Sequence, residues 1–211
     1  MAEQKASSEA LERLDAITRR LRRDCPWDRE QDERSIVPHT VEEAYELADA
    51  AARGDDEKLL DELGDVLFQV HFLALLLEER GAGDLAAVAD GMTEKLIRRH
   101  PHVFADVEAE TSRDVLRNWD QIKRDVEGRG TDDRFADVPE NLPALLYARK
   151  ILRRADPDAG SPPPPDHDER DTAERDVGQA LLSLVAKSRS LGVDPELALR
   201  AAADRYRDER S

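Results

Sequence analysis

The chain has 211 residues, of which 48 are acidic and 32 basic, and its formal net charge is -16. A non-specific nucleic-acid binder needs a basic face that releases counterions, so this charge argues against nucleic acid as a partner. The sequence has no run of about 18 apolar residues, which argues against a membrane partner. Aromatic residues make up only 4% of the chain, and this composition predicts an all-α fold.

Cysteine usage and the first residues bear on the cellular compartment. The single cysteine, Cys25, cannot form an internal disulfide, which fits a reducing environment. Residues 1–10 are polar and lack the apolar stretch of a signal peptide. We therefore expect a cytoplasmic protein in which Cys25 is a small packing residue.

The first half of the chain contains three predicted helices. Apolar residues at three- and four-residue spacing predict the first helix over about residues 8–23. An irregular stretch is expected over residues 26–38. Thr40 is expected to cap a second helix that ends at Arg53, with Glu43 completing a capping box. A short connection leads to the third helix, so the second and third helices are expected to be antiparallel neighbours.

The third helix is expected to begin at Asp55 or Asp56 and to end near Arg80. No segment alternates between apolar and polar residues for long, so no strand is expected. Residues 156–171 contain four consecutive prolines and several acids, which predicts an extended, solvated linker. Further helices are expected over about residues 84–99, 112–127, 143–154, 172–190 and 195–207.

Two groups of acidic residues recur at helical spacing. Glu42, Glu43 and Glu46 lie on the second predicted helix, and Glu62 and Asp65 lie on the third. Separations of three and four residues place such side chains on one helical face. Because the two helices are expected to be antiparallel neighbours, the two groups can converge.

Part of the row of the third helix that carries its acids is expected to be buried. Its apolar stripe consists of Leu59, Leu63, Val66, Val70, Leu73 and Leu77. Glu62, Asp65 and Gln69 lie on a neighbouring row that becomes apolar farther along, at Phe72 and Leu76. Buried carboxylates without partners are costly and repel one another. A hard divalent cation with oxygen ligands, most simply Mg²⁺, resolves that cost.

Other familiar nucleotide and metal motifs are absent. The sequence has no GxxxxGK or GxGxxG loop, and it has no HExxH motif or cysteine pair for zinc. The ExxH pairs of di-iron bundles are also absent. In so acidic a chain, the glutamates can equally form a solvated surface. The protein would then be a catalytically silent helical adaptor with a basic partner.

The order of the acids carries a family resemblance. Glu42-Glu43-Ala-Tyr-Glu46 followed by Glu62-Leu-Gly-Asp65 is an EExxE…ExxD pattern, which resembles the MazG-type nucleoside triphosphate pyrophosphohydrolases. The resemblance covers about residues 9–128. The supporting segments are CPWD at 25–28 with Glu30-Gln31, LIRRHPHVF at 96–104, and Trp119 with Ile122, Lys123 and Glu127.

This resemblance implies an all-α fold with a four-helix-bundle-like core, usually completed by dimerisation. It also implies Mg²⁺-dependent hydrolysis of an NTP or dNTP to the monophosphate and pyrophosphate, with Mn²⁺ able to substitute. Glu43, Glu46, Glu62 and Asp65 are the implied metal ligands. Glu42 is implied as either a further ligand or a base that orients the attacking water. Bound metal would neutralise the polyphosphate and lower the pKa of its water.

A triphosphate also needs cationic contacts, because an acidic site alone would repel it. Lys95, Arg98 and Arg99 form a basic cluster suited to phosphate. The alternative is a solvated helix C-terminus, where positive residues favour the helix dipole. The further candidates are Lys123 for the phosphates, and Trp27 and Trp119, which either stack on the base or belong to the core.

The C-terminal part departs from longer family members, which carry a second homologous domain. Residues 148–154 and 183–206 resemble the beginning and end of such a domain, but the proline-rich linker replaces its EExxE helix. Asp176-Val-Gly-Gln179 lacks the final acid of ExxD, so we infer an inactive second site. The expected organisation is an N-terminal helix (1–24), a catalytic core (25–130), a connecting helix (131–155), the linker (156–171) and an inactive remnant (172–211).

Within the enzyme interpretation, two substrate ranges stay open. One is a house-cleaning pyrophosphohydrolase that removes unwanted or non-canonical nucleotides. The other is a narrower dUTP or dCTP pyrophosphatase of the same bundle superfamily, and the segment HPHVF at 100–104 favours MazG over it. A silent adaptor would predict degraded acids in the first domain, yet all five are present.

Overall fold

The computed structural model describes residues 2–105, 107, 115, 122, 135–136, 138–156 and 166–210. Every regular element in these ranges is an α-helix, so the predicted all-α fold is confirmed. Apart from Val115 and Ile122, the helix predicted over residues 112–127 lies outside the described residues. The chain divides into two compact units, Met1–Glu94 and Lys95–Ser211. In the described part, no helix is long and apolar enough to cross a membrane.

The described helices are numbered in chain order. Those that begin in the first unit are α1 (Ala2–Asp24), α2 (Pro26–Glu30), α3 (Glu33–Arg53), α4 (Asp56–Glu79) and α5 (Leu85–Arg99). Those of the second unit are α6 (Pro101–Phe104), α7 (Ala144–Ala155), α8 (His167–Ser190) and α9 (Pro195–Asp208). For the helices now numbered α4, α5, α7 and α9, each predicted end lies within one residue of the observed end.

The stretch expected to be irregular is mostly helical, since α2 and the first turns of α3 occupy it. The Asp32 side chain accepts a hydrogen bond from the Ser35 backbone N–H at 2.8 Å, and Ser35 Oγ accepts one from the Asp32 N–H at 2.9 Å. This reciprocal pair starts α3, so the capping box predicted at Thr40 and Glu43 is wrong. Pro38 lies inside the helix rather than before it.

A tight turn joins α3 to α4 as a helical hairpin. Gly54 ends α3 with a φ of 65°, a left-handed conformation that glycine adopts without strain. The Asp55 side chain then accepts a hydrogen bond from the Lys58 N–H at 3.0 Å and caps α4. The predicted beginning of this helix is confirmed, and the two helices pack along each other.

The core of the first unit lies between these two helices. Ile36 of α3 is buried against Phe72 and Leu76 of α4, and Phe68 and Leu73 pack against this group. The row of α4 that was expected to be partly covered is therefore its most buried face. The predicted apolar stripe of α4 is covered less, because Leu63 and Val70 are exposed.

Arg22 fastens α1 to α2 and α4. Its Nε and Nη2 atoms donate to the two carboxylate oxygens of Glu79 at 2.9 and 2.8 Å. Its Nη1 donates to the backbone carbonyls of Asp28 and Gln31 at 2.5 and 2.9 Å. The hydrogen bond from Arg22 lowers the pKa of Glu79 below its ordinary value of 4.5. One guanidinium on α1 thus links this helix to α4 and to the segment of α2 and its C-cap.

The second unit has its own core, built by α7 and α9. Tyr147 and Ile151 of α7 are buried with Ala203 of α9. Tyr147 donates to Asp204 at 2.7 Å, and its hydroxyl accepts a hydrogen bond from Arg207 at 2.9 Å. The C-terminal helix α9 therefore packs on α7, which the sequence analysis predicted to be a connecting helix.

α8 begins earlier than the sequence indicated. Its first residue is His167, inside the stretch expected to be an extended linker, and the Asp166 side chain caps it by accepting from the Glu169 N–H at 2.9 Å. The predicted beginning at Thr172 is therefore five residues late. An acidic first turn stabilises a helix N-terminus, so charge that indicated a solvated linker also favours this helix.

Replacing Arg22 with lysine keeps the charge but removes the planar fork that holds Glu79 and the two carbonyls. We expect Arg22→Lys to lower the free energy of unfolding by about 1–3 kcal/mol at neutral pH, measured by urea unfolding. Because the folded pKa of Glu79 is lowered, this difference should shrink as the pH falls below about 4. The control is Arg20→Lys, whose side chain is 73% exposed. Equal unfolding midpoints for the two variants would contradict the proposed role of Arg22.

Candidate active site

Three carboxylates converge at the side of the hairpin. Glu43 comes from α3, and Glu62 and Asp65 come from successive turns of α4. One oxygen from each lies within 4.8 Å of the other two. Spacing of three residues puts Glu62 and Asp65 on one face of α4, and the tight turn at Gly54 brings α3 against that face.

The three carboxylates differ in exposure. Glu62 is only 1% exposed, Glu43 is half-buried and Asp65 is exposed. The Oε1 atom of Glu62 is buried and has no hydrogen-bond partner of normal geometry in the described part of the chain, although the Lys58 ammonium lies against it. A buried carboxylate is costly without a positive partner, and in the free protein Lys58 is that partner.

Crowding of the acids changes their proton affinity. Burial raises the pKa of Glu43, and the charge of Asp65 and a hydrogen bond with Glu62 raise it further. Burial and like charges both disfavour the ionised form of a carboxylate. Three carboxylate oxygens within reach of one another, one of them on a buried side chain and one on a group of raised pKa, fit a hard divalent cation such as Mg²⁺.

The structure does not bring all the predicted acids into this cluster. Glu46 is exposed, and its charge contributes to the raised pKa of Glu43. Glu42 is also exposed, and its carboxylate lies 3.3 Å from Nδ1 of His39, one turn earlier on α3. Their assignments, Glu46 as a metal ligand and Glu42 as a ligand or base, stay predictions.

Trp27 does not belong to the core. Its side chain is 52% exposed, and its ring meets that of His39 edge-on, with 6.2 Å between the centroids. His39 in turn contacts Glu42, so an aromatic surface continues into the acidic helix. The sequence prediction missed His39, although its spacing of three residues from Glu42 was a usable signal. Lys58 was missed too, although its spacing of four residues from Glu62 was a comparable signal.

The basic candidates lie in the last two turns of α5, with Arg98 and Arg99 in the last turn and Lys95 one turn earlier. Lys95 and Arg99 are half-buried and Arg98 is exposed, and all three belong to the second unit. Cations are favoured at this end of a helix. Their role as phosphate ligands stays a prediction. Lys123 and Trp119 lie outside the described residues.

The segment that holds the acids matches a known domain. Residues 31–104 match the MazG nucleotide pyrophosphohydrolase domain. A "nucleoside triphosphate pyrophosphohydrolase/pyrophosphatase MazG" of Thermotoga maritima is 36% identical over 214 aligned positions, which cover 93% of this chain and 82% of that protein. The chain belongs to the MazG family. All five acids of the EExxE…ExxD pattern lie inside the matched domain, as do Lys95, Arg98 and Arg99.

Other relatives match a shorter part of this chain. A "nucleoside triphosphate pyrophosphohydrolase" of Escherichia coli strain K12 is 46% identical over 148 positions, covering 68% of this chain. The chain spans only 56% of the length of that relative. The crystal structure of a mazG-related protein from Thermotoga maritima superposes with a TM-score of 0.48 and 26% identity, covering 54% of this chain and 98% of that one.

The raised pKa of Glu43 predicts how the free site responds to pH. The folded protein holds this proton more tightly than the unfolded chain, so stability falls as the pH rises past the ordinary value of 4.5. In EDTA at neutral pH, Glu43→Gln should therefore raise the melting temperature by about 2–5 °C. The gain should vanish below about pH 4, where the wild-type carboxyl is protonated.

Thermal unfolding in EDTA across this pH range measures the effect. Glu42→Gln is the matched control, because its side chain is 70% exposed and lies on the same helix. At neutral pH it should leave the melting temperature unchanged. A lower melting temperature for Glu43→Gln at neutral pH would show that Glu43 has a favourable partner in the free protein.

Proposed function

We propose that this MazG-family chain hydrolyses nucleoside triphosphates, NTP or dNTP, to the monophosphate and pyrophosphate, with Mg²⁺ as the cofactor and Mn²⁺ able to replace it. The observation that carries the proposal is the convergence of Glu43, Glu62 and Asp65, within 4.8 Å, on the hairpin of the matched domain. The relatives from Escherichia coli and Thermotoga maritima, which are named as nucleoside triphosphate pyrophosphohydrolases, support it. Removal of unwanted nucleotides is the proposed role.

Each acid has a place in this chemistry. Glu43, Glu62 and Asp65 would hold the metal, and Glu46 on the next turn of α3 would be the fourth ligand. A bound cation would neutralise polyphosphate charge and make its water a better nucleophile. Glu42, which is exposed beside His39, would be a further ligand or a base that orients the attacking water.

Substrate binding requires cationic and aromatic groups beside the acids. Lys95, Arg98 and Arg99 are the proposed phosphate contacts, with Lys123 as an additional one. Trp27 is exposed, which suits a base-stacking role better than a core role. Trp119 is proposed for the same role from the sequence.

Replacing a carboxylate of the cluster by its amide tests the proposal. Glu62→Gln and Asp65→Asn should each lower kcat/KM for triphosphate hydrolysis by at least about 100-fold while the helical circular dichroism is retained. The assay presents canonical and damaged NTPs and dNTPs with Mg²⁺ and separates monophosphate, pyrophosphate and orthophosphate. Turnover confined to dUTP or dCTP would identify the narrower pyrophosphatase.

Asp176→Asn is the matched control for Glu62→Gln. Asp176 stands in the Asp-Val-Gly-Gln segment that resembles ExxD, but it is exposed, whereas Glu62 is buried. It should leave kcat/KM within about twofold of the wild type. No monophosphate or pyrophosphate from any substrate would refute the enzyme proposal, and orthophosphate as the first product would place cleavage at another bond.

The chain is also proposed to form a homo-oligomer, a dimer or higher. Four apolar residues of α4 recur at spacings of three, four and three residues and are all exposed: Leu60, Leu63, Leu67 and Val70. A contiguous exposed apolar stripe on a helix is a typical interaction surface. A second copy of α4 would cover the stripe and complete the four-helix-bundle-like core that the family resemblance implies.

A charge placed in the stripe tests self-association. Leu67→Glu should weaken the oligomer by at least about tenfold in dissociation constant, because the carboxylate would be buried without a partner. Analytical ultracentrifugation over a range of protein concentrations measures this. Leu145→Glu, at an exposed leucine of α7, is the control and should not change the oligomer. A wild-type chain that is monomeric at high concentration would rule out the stripe as an oligomer interface.

A further inference from the structure

Lys58 occupies an unusual position beside the acidic cluster. It lies in the first turn of α4, where its backbone N–H donates to the capping carboxylate of Asp55 at 3.0 Å. Its ammonium group lies against Oε1 of the buried Glu62 and 3.5 Å from Asp61. A lysine ammonium is positively charged at neutral pH, so the contact with Glu62 is an ion pair.

Helix stability does not explain a lysine here. The N-terminal turn of a helix carries the positive end of its dipole, which disfavours cations. A lysine placed four residues before a glutamate is also the weaker of the two orders for a helical ion pair. The position is favourable only because Glu62 is buried and needs a positive partner.

The same carboxylate is a proposed metal ligand, and a divalent cation bound to it would repel the nearby ammonium group. Oε1 of Glu62 is buried with the ammonium group against it, so on that oxygen the two cations would compete directly. The side chain of Lys58 is 49% exposed, so it can move into solvent when it leaves Glu62. The flexible stem of lysine makes such a movement easy.

We propose that Lys58 is an internal counter-ion for Glu62, which stabilises the metal-free site and opposes the binding of a divalent cation to the same carboxylate. This inference rests on the proposed function only for the presence of a cation site at Glu43, Glu62 and Asp65. Repulsion by the ammonium group, or its withdrawal from Glu62, is a cost that every binding event must offset. Lys58 therefore weakens cation binding while it keeps the free site folded.

Lys58→Met tests both halves of the inference, because methionine keeps much of the apolar stem and removes the charge. In EDTA its melting temperature should be lower than that of the wild type. Titration with Mn²⁺ and Mg²⁺ alone, followed by isothermal calorimetry, should give dissociation constants at least about threefold smaller. Neither measurement requires turnover.

Lys5→Met is the matched control. Lys5 pairs with Glu9 in the same order and at the same spacing of four residues, but both side chains are exposed. The variant should match the wild type in melting temperature and in cation affinity. If Lys58→Met has an unchanged or larger dissociation constant, the inference is wrong.

The wild-type chain provides a second measurement in case Lys58→Met does not fold. With lysines labelled with ¹³C at Cε, the resonance of Lys58 should shift as Mg²⁺ is added, whereas that of Lys5 should not. A Lys58 resonance that stays fixed while calorimetry shows cation binding would overturn the inference and leave the proposed function intact. Absence of cation binding by both the wild type and Lys58→Met would overturn both proposals.

Discussion

A carboxylate that leaves water must have a cation or a proton beside it, and Glu62 places that constraint in the first unit. Glu43 and Asp65 approach the same point and add repulsion instead of relief. Two kinds of cation can meet the constraint, the ammonium of Lys58 or a divalent metal ion. The proposed chemistry requires the divalent cation, because only a metal ion could also bind and activate phosphate.

Such a crowded site persists only on a scaffold that is stabilised elsewhere. Ile36, Phe72 and Leu76 hold α3 against α4 about two to four turns from the acids, and the Arg22 guanidinium ties α1 and α2 to the far end of α4. The free energy from this packing offsets the repulsion at Glu43. Stability at the site is therefore lower than in its surroundings without a cation, which is the usual condition of a preorganised site.

The convergence of Glu43 with Glu62 and Asp65 could be predicted, since a short helical hairpin allows few registers between two acidic faces. The exposure of Glu42 and Glu46 could not be predicted. The spacing of residues along a helix does not give the tilt between the two helices or the side-chain rotamers. The beginning of α3 was missed for another reason. Pro38 suggested a break, but burial of Ile36 against α4 and capping by Asp32 favour a helix through it.

The two units show why acidic sequence alone does not make such a site. Glu62 is buried because α3 lies over that part of α4, whereas Asp176 on α8 is exposed, and among the described residues the helix that packs on α8 is α9. An exposed carboxylate is satisfied by water and has little need of a metal ion. A divalent cation is favoured where a second helix takes one carboxylate out of water and brings other carboxylates beside it. Burial by α3, as much as the ExxD spacing, therefore supports Glu62 as a proposed metal ligand.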